Sequence, residues 1–236
     1  MGEFNGEFKV VVEADYGPFS LNQDEKWFST AILKLASSLN KINYEQIDEA
    51  VKSASEIYEN IDIKTLSIEQ KAMLGDALML GDNPSAGYEV LLDAAKSVSE
   101  TNRGYYCWLA WRAGLSAWLA GKDSDAKIVF NDILNGFDGK EMTKEKWEYS
   151  QWVAAWFLEK ADDKELLDFF AKQGASSEDD PHFLFGERFL KQKKYEDAKK
   201  AYERCIEIAK KSGDNFPANR AKWRLKQMEG REKANK

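Results

Sequence analysis

The chain has 236 residues, of which 43% are hydrophobic and 32% are charged, and its formal net charge at pH 7 is −7. This acidic balance disfavours a general nucleic-acid binder, and no apolar run approaches the roughly eighteen residues that a membrane-crossing helix needs. With one histidine and two cysteines, the sequence offers no histidine pair for zinc and no CxxC motif. It also lacks a glycine-rich phosphate loop. We therefore expect no metal, no cofactor and no enzymatic activity.

Residues 1–24 are expected to form an arm or tail before the helical region. Residues 8–15 (FKVVVEAD) place Phe8, Val10 and Val12 on one side, which predicts a strand. Three interpretations stay open: an arm that pairs with another chain, the remnant of a neighbouring domain, or a tail. The start, MGEFNGEF, has the character of a cloning remnant and lacks the apolar centre of a signal peptide. We expect a cytoplasmic protein.

A glycine recurs at a fixed distance from a small residue and a bulky one. Gly75, Gly114 and Gly186 each lie twelve residues before a small residue, and a bulky residue follows four positions later. A fourth copy begins at Ala154. This repetition predicts a stack of similar antiparallel helix pairs. The second members of the four copies are Gly87 with Leu91, Ala126 with Phe130, Leu166 with Phe170, and Ala198 with Tyr202.

The last copy is the clearest, and it carries a family resemblance. It reads Phe185-Gly186-x2-Phe189, then Tyr195-x2-Ala198-x3-Tyr202. Small residues at the crossing let two helices approach, so we expect Gly186 to face Ala198, with Phe189, Tyr195 and Tyr202 filling the gaps around them. This spacing resembles the tetratricopeptide repeat (TPR).

The resemblance implies an all-α fold, a right-handed α-solenoid of about five TPR-like helix pairs over residues 25–215. The first pair would join residues 27–39 to residues 44–54, and polar turns are predicted at residues 81–84, 121–123 and 191–194. The two cysteines, Cys107 and Cys205, fall within predicted helices, where we expect them to pack as core residues. His182 lies at the start of the last copy, where we expect it to pack or to be solvated at the helix start.

Residues 216–236 are predicted to form a capping helix, from about residue 217 to residue 232, and a charged tail. Ala221, Trp223, Leu225 and Met228 recur at helical spacing, and this thin apolar side would cover the open face of the last pair. A basic membrane-surface helix is the alternative. Residues 184–236 carry sixteen lysines and arginines against eight acidic residues; since the whole chain carries −7, residues 1–183 carry −15. The basic end could meet an acidic partner or a neighbouring copy.

The candidate binding site is a cluster of tryptophans. Six of the eight lie between residues 108 and 156, and Trp108, Trp111 and Trp118 fall on one helical stripe. In the TPR family the first helix of each pair lines a concave groove, and an exposed aromatic patch there would anchor a partner. The alternative is that two of these three tryptophans are ordinary core. The candidate groove residues are Trp108, Trp111, Leu115, Trp118, Met79, Asp76, Gln151, Leu158 and Glu187.

The expected function is therefore that of a non-enzymatic scaffold that binds a protein or peptide in its groove. Ala72 and Asp76 stand where the carboxylate-clamp version of the family has a lysine and an asparagine, which disfavours a clamp co-chaperone. Two alternatives remain: a structural subunit that forms homo-oligomers through its ends or its N-terminal arm, and a small-molecule-binding accessory protein. Nucleic-acid binding and membrane insertion are not expected.

Overall fold

A computed structural model describes residues 45–81, 83–98, 102–135, 139–173, 179–212 and 215–234. Within these residues every regular element is helical, which confirms the predicted all-α class. A single isolated antiparallel bridge joins Asn135 to Glu141. The predicted N-terminal arm, its strand at residues 8–15 and the helix at residues 27–39 all lie outside the described residues.

The described part of the chain contains ten α-helices and two short 3-10 helices, at Ile63–Thr65 and Lys144–Lys146. The α-helices are α1 (Glu45–Asn60), α2 (Ile68–Leu80), α3 (Pro84–Lys96), α4 (Arg103–Leu119), α5 (Asp123–Leu134), α6 (Tyr149–Phe157), α7 (Asp163–Gln173), α8 (Asp179–Lys191), α9 (Tyr195–Ser212) and α10 (Asn215–Ala234).

Side-chain caps fix where several helices begin. Ser67 and Gln70 form a reciprocal capping box at α2, which satisfies two backbone N–H groups that have no partner inside the helix. Asn83 accepts a hydrogen bond from the N–H of Ala86 at the start of α3, and Pro84 follows as its first residue, where the missing N–H costs nothing. Asn83 and Pro84 therefore explain where α3 begins, while the predicted turn at residues 81–84 includes Asp82, which lies outside the described residues.

Three helices end in the same left-handed turn. Gly121, Glu159 and Lys193 have positive φ angles of 77°, 59° and 59° and follow α4, α6 and α8. In each case the next residue donates its N–H to a carbonyl five positions back, at distances of 2.8–2.9 Å. This closing pattern satisfies carbonyls at the helix end and reverses the chain sharply. The predicted turns at residues 121–123 and 191–194 are confirmed.

In three of the helix pairs, α2–α3, α4–α5 and α8–α9, a glycine brings the two helices close together. A Cβ atom added to Gly75 would lie 2.5 Å from Leu91, and one added to Gly114 would lie 2.6 Å from Phe130. At Gly186 the added atom would overlap the ring of Tyr202. In all three cases the residue nearest to the added atom follows the glycine by sixteen positions. The structure thus brings together the glycine and the bulky residue of the three predicted copies that contain a glycine.

The detail of the last crossing differs from the prediction. The three atoms nearest to a Cβ added at Gly186 all belong to the ring of Tyr202, so this ring makes the closest contact, where Ala198 was expected to face the glycine. Tyr195, which was expected to fill a gap at the crossing, is half-exposed. The reason is the size of the ring, since Tyr202 reaches across the interface from the turn of α9 that follows Ala198. In the α2–α3 pair, by contrast, an atom added to Gly87 would lie 2.9 Å from the carbonyl oxygen of Gly75.

The pairs contact one another mainly between the second helix of one pair and the first helix of the next, α3 with α4 and α5 with α6, and their first helices also touch. Helix α2 packs on α4, and α4 packs on α6. Trp156 of α6 then lies 5.4 Å from Phe185 of α8, measured between ring centroids. We call α2, α4, α6 and α8 the first-helix row. The largest core cluster runs along this row and into the helices paired with it.

Helix α10 packs on α8 and α9, as a cap on the last pair would, but it also reaches the beginning of the described chain. The indole Nε1 of Trp223 donates to Asp48 of α1 at 2.7 Å, and Arg224 donates to the carbonyl of Leu80 at 3.0 Å. The thin apolar side of α10 is only part of its contact surface, because Arg220 and Arg224 are each only 8% exposed. Both are buried because α10 lies between two sets of helices.

Candidate functional site

The nine candidate groove residues lie on the first-helix row or, in the case of Leu158, directly after α6. Trp108 is 44% exposed, while Trp118 and Leu158 are partly buried. The other six are buried, so these positions do not form an open groove in the described structure. The buried six are Asp76, Met79, Trp111, Leu115, Gln151 and Glu187.

Trp111 shows why the predicted stripe is not a surface. Its side chain is 7% exposed, and its ring centroid lies 5.7 Å from that of Tyr149 on α6. The neighbouring first helix therefore covers this tryptophan. The indole Nε1 has no hydrogen-bond partner among the described residues. The expectation that Trp111 is an exposed anchor is wrong, and the core interpretation applies to it.

A buried ion pair joins the first two helices of the row. Arg112 of α4 donates from Nε to Asp76 of α2 at 2.8 Å, and a second, shorter contact makes the pair bidentate. Burial lowers the pKa of Arg112 to about 9, with the nearby Arg220 as a further cause. The guanidinium carbon also lies 4.2 Å from the centroid of the Trp108 ring. The exposed tryptophan therefore rests directly on this pair.

A second buried carboxylate, Glu187 of α8, holds α10. Arg224 donates to its two oxygens from Nε at 2.7 Å and from Nη2 at 3.0 Å. The hydroxyl of Tyr202 donates to the same carboxylate at 2.8 Å. Burial and this carboxylate raise the pKa of Tyr202 well above its ordinary value, so the hydroxyl keeps its proton. Glu187 is thus fully engaged in holding helices together.

Arg220 of α10 connects the two pairs. Its Nη2 atom lies 3.5 Å from Asp76. Burial lowers the pKa of Arg220 to about 10, while Asp180, Tyr149 and Glu187 oppose that shift. Tyr149 in turn donates to Asp180 at 3.0 Å. Three arginines therefore meet three carboxylates among α2, α4, α8 and α10. We call this set the ionic cluster; its members are Asp76, Arg112, Asp180, Glu187, Arg220 and Arg224.

The exposed rim of the cluster is aromatic. The rings of Tyr105 and Trp108 stack with centroids 5.8 Å apart and planes 17° apart. Trp108 touches Arg112, Arg112 pairs with Asp76, and Asp76 pairs with Arg220. The aromatic patch is therefore continuous with the surface that α10 covers. Beside α10, a partly open cavity of about 280 Å³ is lined mainly by apolar residues, among them Met79, Leu119, Leu190 and Met228.

The remaining chemistry-bearing residues have packing roles. His182 sets its ring edge-on to Phe185 with centroids 5.8 Å apart, and burial lowers its pKa. Cys107 and Cys205 are both buried and are not joined in a disulfide. Among the described residues, no group of three His, Cys, Asp or Glu side chains is placed to hold a metal ion. No helix in the same residues is both long and apolar enough to span a bilayer.

Comparison with protein-family models, with curated proteins and with solved structures found no match to this chain.

Sequence reasoning missed the ionic cluster, although a signal for it was present. Arg220 and Arg224 are one helical turn apart, on a helix whose apolar side is thin. Asp76 and Glu187 each directly follow the glycine of a copy, at a buried position in the first helix. Charged residues at such inward positions need partners, and the arginines of α10 are the matching set.

Proposed function

We propose that this chain is a non-enzymatic interaction module, built from TPR-like helix pairs in a right-handed α-solenoid, which binds a protein or peptide along its first-helix row. The repeated register supports the repeat architecture, because Gly75, Gly114 and Gly186 each meet a bulky residue sixteen positions later. The three equivalent left-handed turns after α4, α6 and α8 support it further. The boundaries at residues 1–24, 25–215 and 216–236, and the cytoplasmic location, stay predictions.

One observation carries the binding role: the first-helix row already holds a helix. α10 is fixed there by hydrogen bonds to Glu187 and to the carbonyl of Leu80 and by an ion pair to Asp76. The carboxylates and the backbone carbonyl that hold α10 can accept hydrogen bonds in the same way from a similar helical segment of another protein. The stacked pair of Tyr105 and Trp108 lies at its edge, and aromatic residues of this kind are frequent anchors in interfaces.

The test compares two exposed apolar residues on different helices. Trp108 lies on α4 of the row, and Ile128, which is 69% exposed, lies on the paired helix α5. Tagged full-length chains carrying Trp108→Ala or Ile128→Ala are used to purify partners from the cells that produce the protein, with quantitative mass spectrometry. We expect Trp108→Ala to weaken capture of specific partners by about fivefold or more, while Ile128→Ala retains them.

Thermal melts of both variants are also measured, because a loss of partner capture reports on binding only when the variant is still folded. A partner set that is unchanged by Trp108→Ala would contradict the proposal. The proposal would also be contradicted if the particle mass of the wild type rises with concentration while Trp108→Ala stays a monomer. The patch of Tyr105 and Trp108 would then serve self-assembly.

A further inference from the structure

Helix α10 neutralises a surface that would otherwise be acidic. Without α10, the charged side chains that its arginines and Lys226 meet are the carboxylates Asp48, Asp76, Asp180 and Glu187, with Arg112 beside Asp76 and Lys191 on the wall of the adjoining cavity as positive charges. α10 supplies Arg220 and Arg224 to the ionic cluster and Lys226 to Asp48, with Nζ and Oδ2 2.7 Å apart. The charge of this surface thus selects a basic occupant. We call Asp48, Asp76, Asp180 and Glu187 the acidic face.

The contact of α10 with the rest of the protein is partly polar and partly apolar. Arg220, Arg224 and Asn219 are buried beside the apolar Ala218, Ala221 and Trp223, and the partly buried Leu225 and Met228 pack against the same core cluster as Trp223. The buried Oδ1 of Asn219 has no hydrogen-bond partner in the described part of the chain. Obligate helix contacts are mostly apolar and satisfy their polar atoms, while mixed contacts are typical of reversible ones.

We propose that α10 is a built-in occupant of the binding surface, and that a basic helical segment of a partner, with arginines four residues apart, takes its place on the acidic face. This inference rests on the proposed function and adds the partner's chemistry and a regulatory step. The partner's arginines bind Glu187 and Asp76, and a third basic side chain meets Asp48. α10 must leave before the partner binds, so its docking lowers the apparent affinity.

The probe for this proposal is a synthetic peptide of residues 215–234, labelled with fluorescein and titrated into the full-length chain. The Lys226–Asp48 pair is the place to loosen α10, because both side chains are about half-exposed and their substitution should leave the fold intact. Lys226→Glu sets two like charges against each other. The double variant Asp48→Lys with Lys226→Glu restores the attraction inside the chain, but it repels Lys226 of the peptide.

We expect the peptide to bind Lys226→Glu about fivefold more tightly than the wild type, which is the scale of one exposed ion pair. Binding to the double variant should return to the wild-type level or below. A chain with Arg224→Gln should bind most tightly and should gain thermal stability when the peptide is added, because the peptide returns an arginine to Glu187. A control peptide with Arg220→Gln and Arg224→Gln should bind at least tenfold more weakly.

Three results would overturn the proposal. The first is that the peptide binds none of the chains, and the second is that the control peptide binds as well as the native one. The third is that Lys226→Glu forms a dimer that excludes the peptide, which would make a second copy's α10 the occupant. Partner capture that still depends on Trp108 would show that the proposed function survives such a failure. If partner capture does not depend on Trp108 but the peptide binds as expected, the binding role of Trp108 is contradicted, and the acidic face remains as a helix-binding site.

Discussion

At the scale of single residues, Gly186 sets the distance between α8 and α9. A Cβ atom at this position overlaps the ring of Tyr202, which is fully buried and has no room to move aside. We expect Gly186→Ala to lower the free energy of unfolding by about 1–3 kcal/mol, as overpacking of a dense core does. Urea denaturation measures this loss.

The matched control is Gly230, a helical glycine at which an added Cβ atom meets nothing within 4 Å. There, alanine removes the entropic cost of glycine, so we expect Gly230→Ala to be neutral or to stabilise the protein by up to about 1 kcal/mol. The two substitutions are chemically identical, so opposite signs isolate the effect of the Tyr202 ring. Equal effects at both sites would show that the helix register is different.

His182 makes stability depend on pH in a defined window. It is the only histidine, and burial, aided by Arg204, lowers its pKa below the ordinary value of 6.5. Between the folded pKa and 6.5 only the unfolded chain binds the proton, so stability is lost as the pH falls through 6.5 and levels off below the folded pKa. Urea denaturation of wild type and His182→Gln between pH 7.5 and 5.5 should give a difference that changes in this direction. A constant difference would contradict it.

At the scale of helices, the bond between α10 and α8 depends on Arg224 and Glu187. Removing either partner leaves a buried charge without its counterpart, so we expect Arg224→Met and Glu187→Gln each to cost about 3–5 kcal/mol of unfolding free energy. The double variant should cost clearly less than the sum of the two. Additive losses in this cycle would mean that the two side chains do not meet in solution.

The helix pairs could be predicted from the sequence because their contacts are local. Gly186 and Tyr202 are sixteen residues apart, and the turn between them has its own signals, so the spacing predicts where the two helices cross, although not that the Tyr202 ring makes the closest contact. The tryptophan stripe was harder. Periodicity places Trp108 and Trp111 on one side of α4, but it does not show which neighbour covers that side, and α6 buries Trp111 while leaving Trp108 partly open.

The position of α10 could not be predicted in this way. Its partners Leu80 and Asp48 are 144 and 178 residues away in the chain, and no local pattern connects them. Arginines on a lysine-rich helix usually mark a solvated face, and Arg220 and Arg224 depart from that rule because four carboxylates from distant helices surround the helix that carries them.

At the scale of the whole molecule, the ends of the described chain meet. Many repeat proteins have contacts only between neighbouring repeats, but here a core cluster combines Ile47 of α1 with Trp223 of α10. Lys191 also reaches from the end of α8 to Asp123, at 2.6 Å. These contacts close the stack of helix pairs around α10, and the binding and regulatory proposals both depend on that closure.

Carbodiimide cross-linking tests this closure most directly. The reagent joins an amine to a carboxylate only when they touch, and Lys226 and Asp48 are half-exposed with Nζ and Oδ2 2.7 Å apart. Lys211 and Glu207, 2.9 Å apart within α9, provide an internal control that depends on the local helix alone. We predict that mass spectrometry of the monomer band finds both links, and that Lys226→Gln abolishes the first. A monomer that carries the link between Lys211 and Glu207 but none between Lys226 and Asp48 would contradict the closed architecture.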